Sequence, residues 1–334
     1  MNVPFLTAFI KRASRSRLRR IMRGYRFLKE SKRLGLIIAV KDELARTRFT
    51  GIDRHASIFF FGAGIKQAEL ITRQYLIMRA NTALNKALLC SLGSKGCPVV
   101  YPMPKLWQQV VARHGFSVSR IRCSLAWAGY VGLFWGYGVL SIVKECYASL
   151  REIIRSQPLA LGRYVYFMGL TAGNLPQSCC DGRSYDLVTW YTRWKGKADN
   201  INVFRHEVAN VKACSVGGFP VVFNPYPVPP LGTLGGLVQF MGWALVAVLY
   251  SVLDFLRGRW WHVILLAESV VAARARFQKA NNLARDYMFH NSGWIYRPLW
   301  TYEAERKGSR IIFYFYSTHC ENFKRPDGYP VQAN

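Results

Sequence analysis

The apolar residues of this chain follow two different patterns. From His55 onward, short apolar runs alternate with amphipathic stretches, which is typical of an α/β layered fold. The short runs predict strands at Ser57–Phe61, Pro98–Tyr101, Arg163–Gly169, Asn202–Arg205, Pro220–Phe223, Tyr287–His290 and Ile311–Tyr316. The amphipathic stretches predict helices at Lys66–Leu92, Lys105–His114, Tyr185–Trp194 and Pro298–Lys307.

Two longer runs interrupt this alternation. Cys123–Val143 has 21 residues without a charge and Leu231–Leu253 has 23, each long enough to cross a bilayer. If both crossed, the basic segment between them would face the far side, against the positive-inside tendency. The pattern therefore favours interfacial or re-entrant insertion over spanning, with burial in a soluble core as a third alternative.

The first 54 residues predict a basic amphipathic helix that lies on a membrane surface. Leu18, Ile21, Met22, Tyr25 and Leu28 form one apolar stripe at helical spacing. A disordered basic tail or an RNA-binding arm is the alternative. The cations proposed to bind anionic lipid are Arg17, Arg19, Arg20, Arg23 and Arg26.

Composition supports a location at a membrane surface. The formal net charge is +28, and 51% of the residues are hydrophobic. A nucleic-acid-binding protein would account for the charge but not for the uncharged runs, so no nucleic-acid partner is expected. The eight cysteines form no CxxC pair, which favours reduced thiols in the cytoplasm.

A glycine turn follows the first predicted strand. Gly62 and Gly64 flank Ala63 between that strand and the next predicted helix. A strand, a glycine turn and a helix in this order place a ligand near the turn, so Gly62 and Gly64 are candidate ligand contacts. A plain tight turn is equally compatible with the same residues.

A miniature βαβ unit lies near the end of the chain. The turn between its first strand and its helix contains His290, Asn291, Ser292 and Gly293, and Arg297 follows. Hydroxyl, amide and backbone donors beside a helix amino terminus suit a phosphate or a sugar. These five residues are therefore predicted to bind a donor substrate, and an ordinary loop is the alternative.

Three stretches carry a resemblance to a known family. Tyr287–Asn334, VVYPMPKLW at 99–107 and DGRSYDLVTWY at 181–191 resemble bacterial surface carbohydrate biosynthesis proteins of O-antigen and capsule gene clusters. These proteins look like glycosyltransferases with two Rossmann-like lobes (GT-B). The resemblance implies sugar transfer on the cytoplasmic face of the inner membrane, from a nucleotide sugar to a lipid-linked or growing glycan acceptor, with no further cofactor.

The resemblance implies three regions. Residues 1–54 form the basic surface segment, residues 55–280 the first Rossmann-like lobe with its hydrophobic inserts, and residues 281–334 the start of a donor-binding lobe. A complete lobe needs on the order of 100 residues. The chain is therefore expected to be carboxy-terminally truncated, as an inactive fragment or as half of a split enzyme.

Sugar transfer needs a base that deprotonates the acceptor hydroxyl. Asp181 and Asp186 are the favoured candidates, because they follow a strand and a Pro-containing loop. Their alternatives are a turn residue for Asp181 and a first-turn helix acid for Asp186. No carboxylate cluster and no DxD pair is seen, so no metal is expected. A non-catalytic membrane scaffold of a polysaccharide assembly system remains the rival interpretation.

Overall fold

The computed structural model describes residues 35–36, 38–40, 42–43, 46, 55–62, 69, 98–155, 163–170, 175–176, 187–195, 201–210, 214–289 and 297–313. The chain divides into two compact units. Unit 1 comprises Met1–Thr50 and Thr72–Leu133, and unit 2 comprises Gly51–Ile71 and Phe134–Asn334.

The described residues contain eight α-helices and six strands. The helices are α1 (Ala56–Phe59), α2 (Lys105–Arg113), α3 (Arg120–Ile154), α4 (Leu187–Lys195), α5 (Leu234–Leu256), α6 (Trp261–Ile264), α7 (Leu266–Phe277) and α8 (Leu299–Arg306). The strands are β1 (Tyr164–Met168), β2 (Val203–His206), β3 (Cys214–Val216), β4 (Phe219–Phe223), β5 (Asp286–Phe289) and β6 (Arg310–Phe313).

Unit 1 is built around α2 and the first part of α3. Met103, Trp107, Val111 and Cys123 are buried in its apolar core. The segment predicted as a strand at Pro98–Tyr101 makes a single parallel bridge, from Val99 to Val118. The predicted helix at Lys105–His114 is confirmed as α2, and Gly115 after it has a positive φ of 84°.

Unit 2 contains one six-stranded sheet in the order β3-β4-β2-β1-β5-β6. All neighbouring strands are parallel except β3, which pairs antiparallel with β4 at one edge. The chain moves from β1 towards β4 on one side and then returns to the other side of β1 as β5 and β6. This reversal between β1 and β5 is a topological switch point of a doubly wound sheet.

The structure confirms the α/β class and most of the predicted elements of unit 2. Residues of β1 and β5 are all buried, as expected for parallel strands that are covered on both faces. The carboxy-terminal βαβ unit is present as β5-α8-β6 with parallel pairing. Pro298 precedes α8, and Gly308 follows it with a φ of +96°.

Two predictions about this sheet are wrong. Ser57–Phe61 was expected to be a strand, but residues 56–59 form α1, because an apolar run of this length also fits one buried helical turn. The strands at 286–289 and 310–313 were expected to open a second lobe, but β5 pairs directly with β1. They therefore belong to the same sheet as β1.

The two uncharged runs lie in α3 and α5. Both helices are long and apolar enough to cross a membrane, and only 17% and 33% of their most apolar 18-residue windows are buried. Within unit 2, Trp135 Nε1 donates to Ser251 Oγ at 3.0 Å, which joins α3 to α5. Most of each apolar window is thus not buried, which favours membrane contact over burial in a soluble core.

Candidate functional site

The carboxyl edge of the sheet at the switch point is the candidate site. Gly169 directly follows β1 and has a φ of +75°, a conformation that favours glycine. Its backbone N–H donates to Oε1 of Glu207, which directly follows β2, at 2.8 Å. Residues 290–293 follow β5, the other strand at the switch point, and lie outside the part that the structure describes.

Neutral polar groups line the strands behind this edge. His206 at the end of β2 is buried, and its Nδ1 accepts the N–H of Val208 at 3.2 Å. Burial lowers the pKa of His206, so the imidazole is held neutral with its proton on Nε2. The Tyr166 hydroxyl donates to the carbonyl of Asn224 at 2.5 Å, and burial raises the pKa of Tyr166.

Glu207 is the carboxylate that the structure brings to this edge. His206 and Glu207 are adjacent in the sequence, but their side chains diverge, because His206 points into the core and Glu207 binds the turn after β1. Alternation of side chains along a strand could have indicated this divergence. Glu207 could act as a hydrogen-bond acceptor or as a base towards a ligand hydroxyl.

Arg297 lies just before α8, on the connection from β5. Its Nε donates to Thr301 Oγ1 at 2.9 Å, and its Nη2 lies 2.5 Å from Oε2 of Glu305. The guanidinium also covers the Tyr302 ring at 4.1 Å. The guanidinium therefore extends along α8 to Glu305 in its last turn, away from the amino end of the helix.

Gly62 has a packing role in unit 2. Its N–H donates to Oε1 of Glu303 at 3.0 Å, and a Cβ at this position would lie 2.3 Å from Nη1 of Arg306. The buried Glu303 carboxylate also pairs with Arg276 at 3.4 Å. The backbone group of Gly62 that would face a ligand is thus bound to the protein, while Gly64 lies outside the described residues.

A second polar cluster lies at the end of α5. Oδ2 of Asp254 is 2.5 Å from Nδ1 of His262 on α6 and 2.8 Å from Nδ1 of His55, which precedes α1. All three side chains are buried. His262 follows Trp260 and Trp261 in the sequence, and these neighbours give no sign of the cluster. Its clustering with His55 could not be predicted, because the two residues are far apart in the chain.

Most of the residues predicted for substrate or lipid binding lie outside the described ranges. In the sequence, Asp181 and Asp186 lie between β1 and α4, which begins at Leu187. The residues without a described position are Asp181, Asp186, His290, Asn291, Ser292, Gly293, Gly64, Arg17, Arg19, Arg20, Arg23 and Arg26.

Comparison with known proteins gives one family match. Residues 243–334 match the model of the family described as "Polysaccharide biosynthesis PFTS motif protein". This stretch runs from the middle of α5 through β6 and includes β5, which forms one side of the switch point. The match supports a polysaccharide biosynthesis protein. No curated protein and no solved structure matches the chain.

Proposed function

We propose that this protein is a membrane-associated glycosyltransferase of polysaccharide biosynthesis. It transfers a sugar from a nucleotide-activated donor to a lipid-linked or growing glycan acceptor at the cytoplasmic face of the membrane. The observation that carries the proposal is the strand reversal between β1 and β5. Doubly wound sheets bind their ligands at this crevice, and here one wall of it belongs to the segment that matches the polysaccharide family.

The donor diphosphate binds between β5 and α8 in this proposal. The turn at 290–293 supplies backbone and side-chain donors, and the amino end of α8 supplies its dipole. Arg297 precedes the same end, and donor binding would require its guanidinium to turn from Glu305, about two helical turns away, towards the phosphates. The sugar then lies towards the end of β1, beside Gly169.

The acceptor hydroxyl is activated on the other side of the switch point. Asp181 and Asp186 lie in the connection from β1 to α4 and remain the proposed catalytic bases. Glu207 is added to them, because its carboxylate lies at the same edge and its Oε1 is bound to Gly169 N. One carboxylate takes the acceptor proton while the diphosphate leaves towards α8.

The apolar face of α5 binds the membrane in this proposal. Its exposed residues recur every three or four positions, so they form one continuous stripe along the helix. Full burial of such a side chain contributes roughly 1.5–3 kcal/mol, so several of them suffice for stable docking. The stripe consists of Leu234, Val238, Met241, Leu245, Leu249, Val252 and Leu256.

The opposite face of α5 indicates that this helix lies along the membrane surface. Phe240, Ala244 and Ala247 on that face are buried in the protein. Charged groups follow directly, with Arg257 and Arg259 after the helix. A helix with one face in the protein and one apolar face exposed suits shallow insertion, with the cations at the head groups.

A non-catalytic scaffold is the second candidate function. It is favoured by the engagement of Gly62 and Arg297, two predicted ligand contacts, with groups of the protein itself. A scaffold would bind lipid and would bind no nucleotide sugar.

Flotation with vesicles and titration with nucleotide sugars separate the two functions. The full chain in detergent is titrated with UDP- and GDP-linked sugars by calorimetry, and is floated with vesicles of phosphatidylcholine and phosphatidylglycerol. The proposal expects both lipid and nucleotide-sugar binding, with the latter lost in Arg297→Ala and kept in Arg113→Ala, whose side chain is exposed in unit 1. Lipid binding alone would favour the scaffold, and binding of neither would exclude both functions.

A further inference from the structure

We propose that His55, Asp254 and His262 bind a divalent transition-metal ion at the end of α5. The three residues offer two imidazole nitrogens and one carboxylate oxygen, and these donor atoms all lie within 4.8 Å of one another. Two histidines and one carboxylate form a donor set typical of zinc and iron(II) sites in proteins. The site lies in unit 2, apart from the switch point of the sheet.

The distances require only a small adjustment. Ligand atoms about 2.0–2.1 Å from a tetrahedral zinc ion lie roughly 3.3 Å from each other. Here Asp254 Oδ2 lies 2.5 Å from His262 Nδ1 and 2.8 Å from His55 Nδ1. Each contact opens by less than about 1 Å when an ion enters. The Nδ1 proton of each neutral ring moves to Nε2, so that Nδ1 can donate its lone pair.

The second carboxylate oxygen of Asp254 points to the same conclusion. Among the described residues, Oδ1 of this buried carboxylate has no hydrogen-bond partner. Its ion pair with Nη1 of Arg259 is 3.8 Å long, beyond hydrogen-bond distance. A buried carboxylate with an unsatisfied oxygen is costly, and an ion bound by both oxygens of Asp254 would remove that cost.

Aromatic rings shield the cluster from water. Phe59 stacks on the His262 ring with centroids 4.7 Å apart and planes inclined by 7°, and Tyr250 lies 4.4 Å from the His55 ring. The Asp254 and His262 side chains have 0% exposure and that of His55 has 10%. Three protein donor atoms leave a fourth tetrahedral position, which Oδ1 of Asp254 can fill, so the proposed site is closed and structural.

The ion would join three segments that otherwise meet only through side chains. His55 precedes α1, Asp254 lies in the last turn of α5 and His262 lies in α6. The apolar helix is tied to α1 a second time where Trp243 Nε1 donates to the Ile58 carbonyl at 2.8 Å. The metal would therefore fix the orientation of α5 relative to α1 and α6, which sets where its apolar stripe lies.

Cobalt binding tests this site directly. The full-length protein in detergent is freed of metal with a chelator and titrated with Co²⁺, which absorbs visible light when histidine and carboxylate ligands hold it in tetrahedral geometry. We expect one bound ion per chain with visible absorption bands. Asp254→Asn and His262→Asn should weaken Co²⁺ binding by at least about ten-fold. His114→Asn, which removes an exposed histidine of unit 1, should leave it unchanged.

Thermal unfolding of the wild type provides a readout that needs no variant. Zn²⁺ should raise the thermal unfolding midpoint of wild-type protein whose metal has been removed with a chelator. An ion that binds only the folded state stabilises that state. Two results would overturn the proposal. One is a wild-type thermal unfolding midpoint that changes with neither chelator nor Zn²⁺, and the other is equal Co²⁺ affinity in the wild type and Asp254→Asn. Neither result depends on sugar transfer, so the metal site and the proposed function fail separately.

Discussion

Nη1 of Arg274 on α7 lies 2.5 Å from Oε2 of Glu145 on α3, and both side chains are buried. Ser149 Oγ donates to the other oxygen of Glu145 at 3.1 Å and accepts the N–H of Leu231 at 3.0 Å. A single polar network thus connects α3, α7 and the segment before α5. Its energetic importance can be measured.

We expect Glu145→Gln to lower the free energy of unfolding by about 3–5 kcal/mol, because it leaves the buried Arg274 cation without its counter-charge. Chemical denaturation of the protein in detergent measures this change. Arg113→Ala is the matched control, because Arg113 pairs with Glu43 at 2.8 Å at the surface and should contribute less than about 1 kcal/mol. The double variant Glu145→Leu/Arg274→Met should recover most of the stability, and equal losses in all three variants would contradict this account.

Two glycines one half-turn apart in α3 should respond oppositely to alanine. A Cβ at Gly138 would lie 2.7 Å from Cγ of the buried Leu266, whereas a Cβ at Gly136 meets nothing within 4 Å. Gly138→Ala should therefore destabilise by about 1–3 kcal/mol through overpacking. Gly136→Ala should stabilise by about 0.5–1 kcal/mol through helix propensity. Thermal unfolding of the pair checks both signs, and a Gly138→Ala variant as stable as Gly136→Ala would show that α3 does not pack on Leu266 in this way.

The apolar stripe of α5 should determine vesicle binding. Leu245 has 75% exposure, so Leu245→Glu should reduce flotation with anionic vesicles while leaving the circular dichroism spectrum unchanged. Gln239→Glu adds the same charge at an exposed polar position of the same helix and serves as the control. If Leu245→Glu floats as well as Gln239→Glu, the stripe does not contact lipid.

His206 should make stability sensitive to acid. Its pKa is lowered in the folded state because burial disfavours the imidazolium, so the unfolded chain binds the proton more readily. The contribution of His206 to the free energy of unfolding is therefore complete above the unfolded-state pKa of about 6.5 and decreases as the pH falls through that value. The decrease from this residue is at most about 1.4 kcal/mol per pH unit.

Denaturation of His206→Asn across the same pH range isolates this contribution. Asparagine keeps an acceptor for the Val208 N–H, but it does not titrate. The decline between pH 7.5 and 5.5 should be shallower in His206→Asn than in the wild type and unchanged in His114→Asn. Parallel curves for all three proteins would show that His206 is not buried as a neutral ring.

The hydrophobic pattern predicted five strands of the sheet, most directly β1 and β5, which are buried throughout and read as short apolar runs. β1, β2, β4, β5 and β6 were found in this way. β3 was missed because it is a three-residue edge strand whose side chains are only half-buried. α1 was misassigned because four apolar residues carry no period that distinguishes a helical turn from a strand.

Tertiary relationships were less accessible to the sequence than the elements. The pairing of β5 with β1 joins segments separated by more than a hundred residues, including β2 to β4 and the long apolar helix α5, and nothing local in either strand specifies the partner. The same limit applies to His55, Asp254 and His262, which a sequence search for closely spaced ligands cannot find. The position of Glu207 at the candidate site is shown only by its hydrogen bond to Gly169 in the turn after β1, which the sequence alone does not indicate.

The position of β1 between β2 and β5 also determines the order in which the protein can fold during synthesis. One edge of β1 can pair as soon as β2 and β4 leave the ribosome, whereas the other must wait for β5, which is translated after α5, α6 and α7. We therefore expect the nascent chain to expose an open, apolar strand edge while α3 and α5 are already available to lipid. Early adsorption to a bilayer would keep that edge away from other nascent chains until β5 is translated and pairs with it.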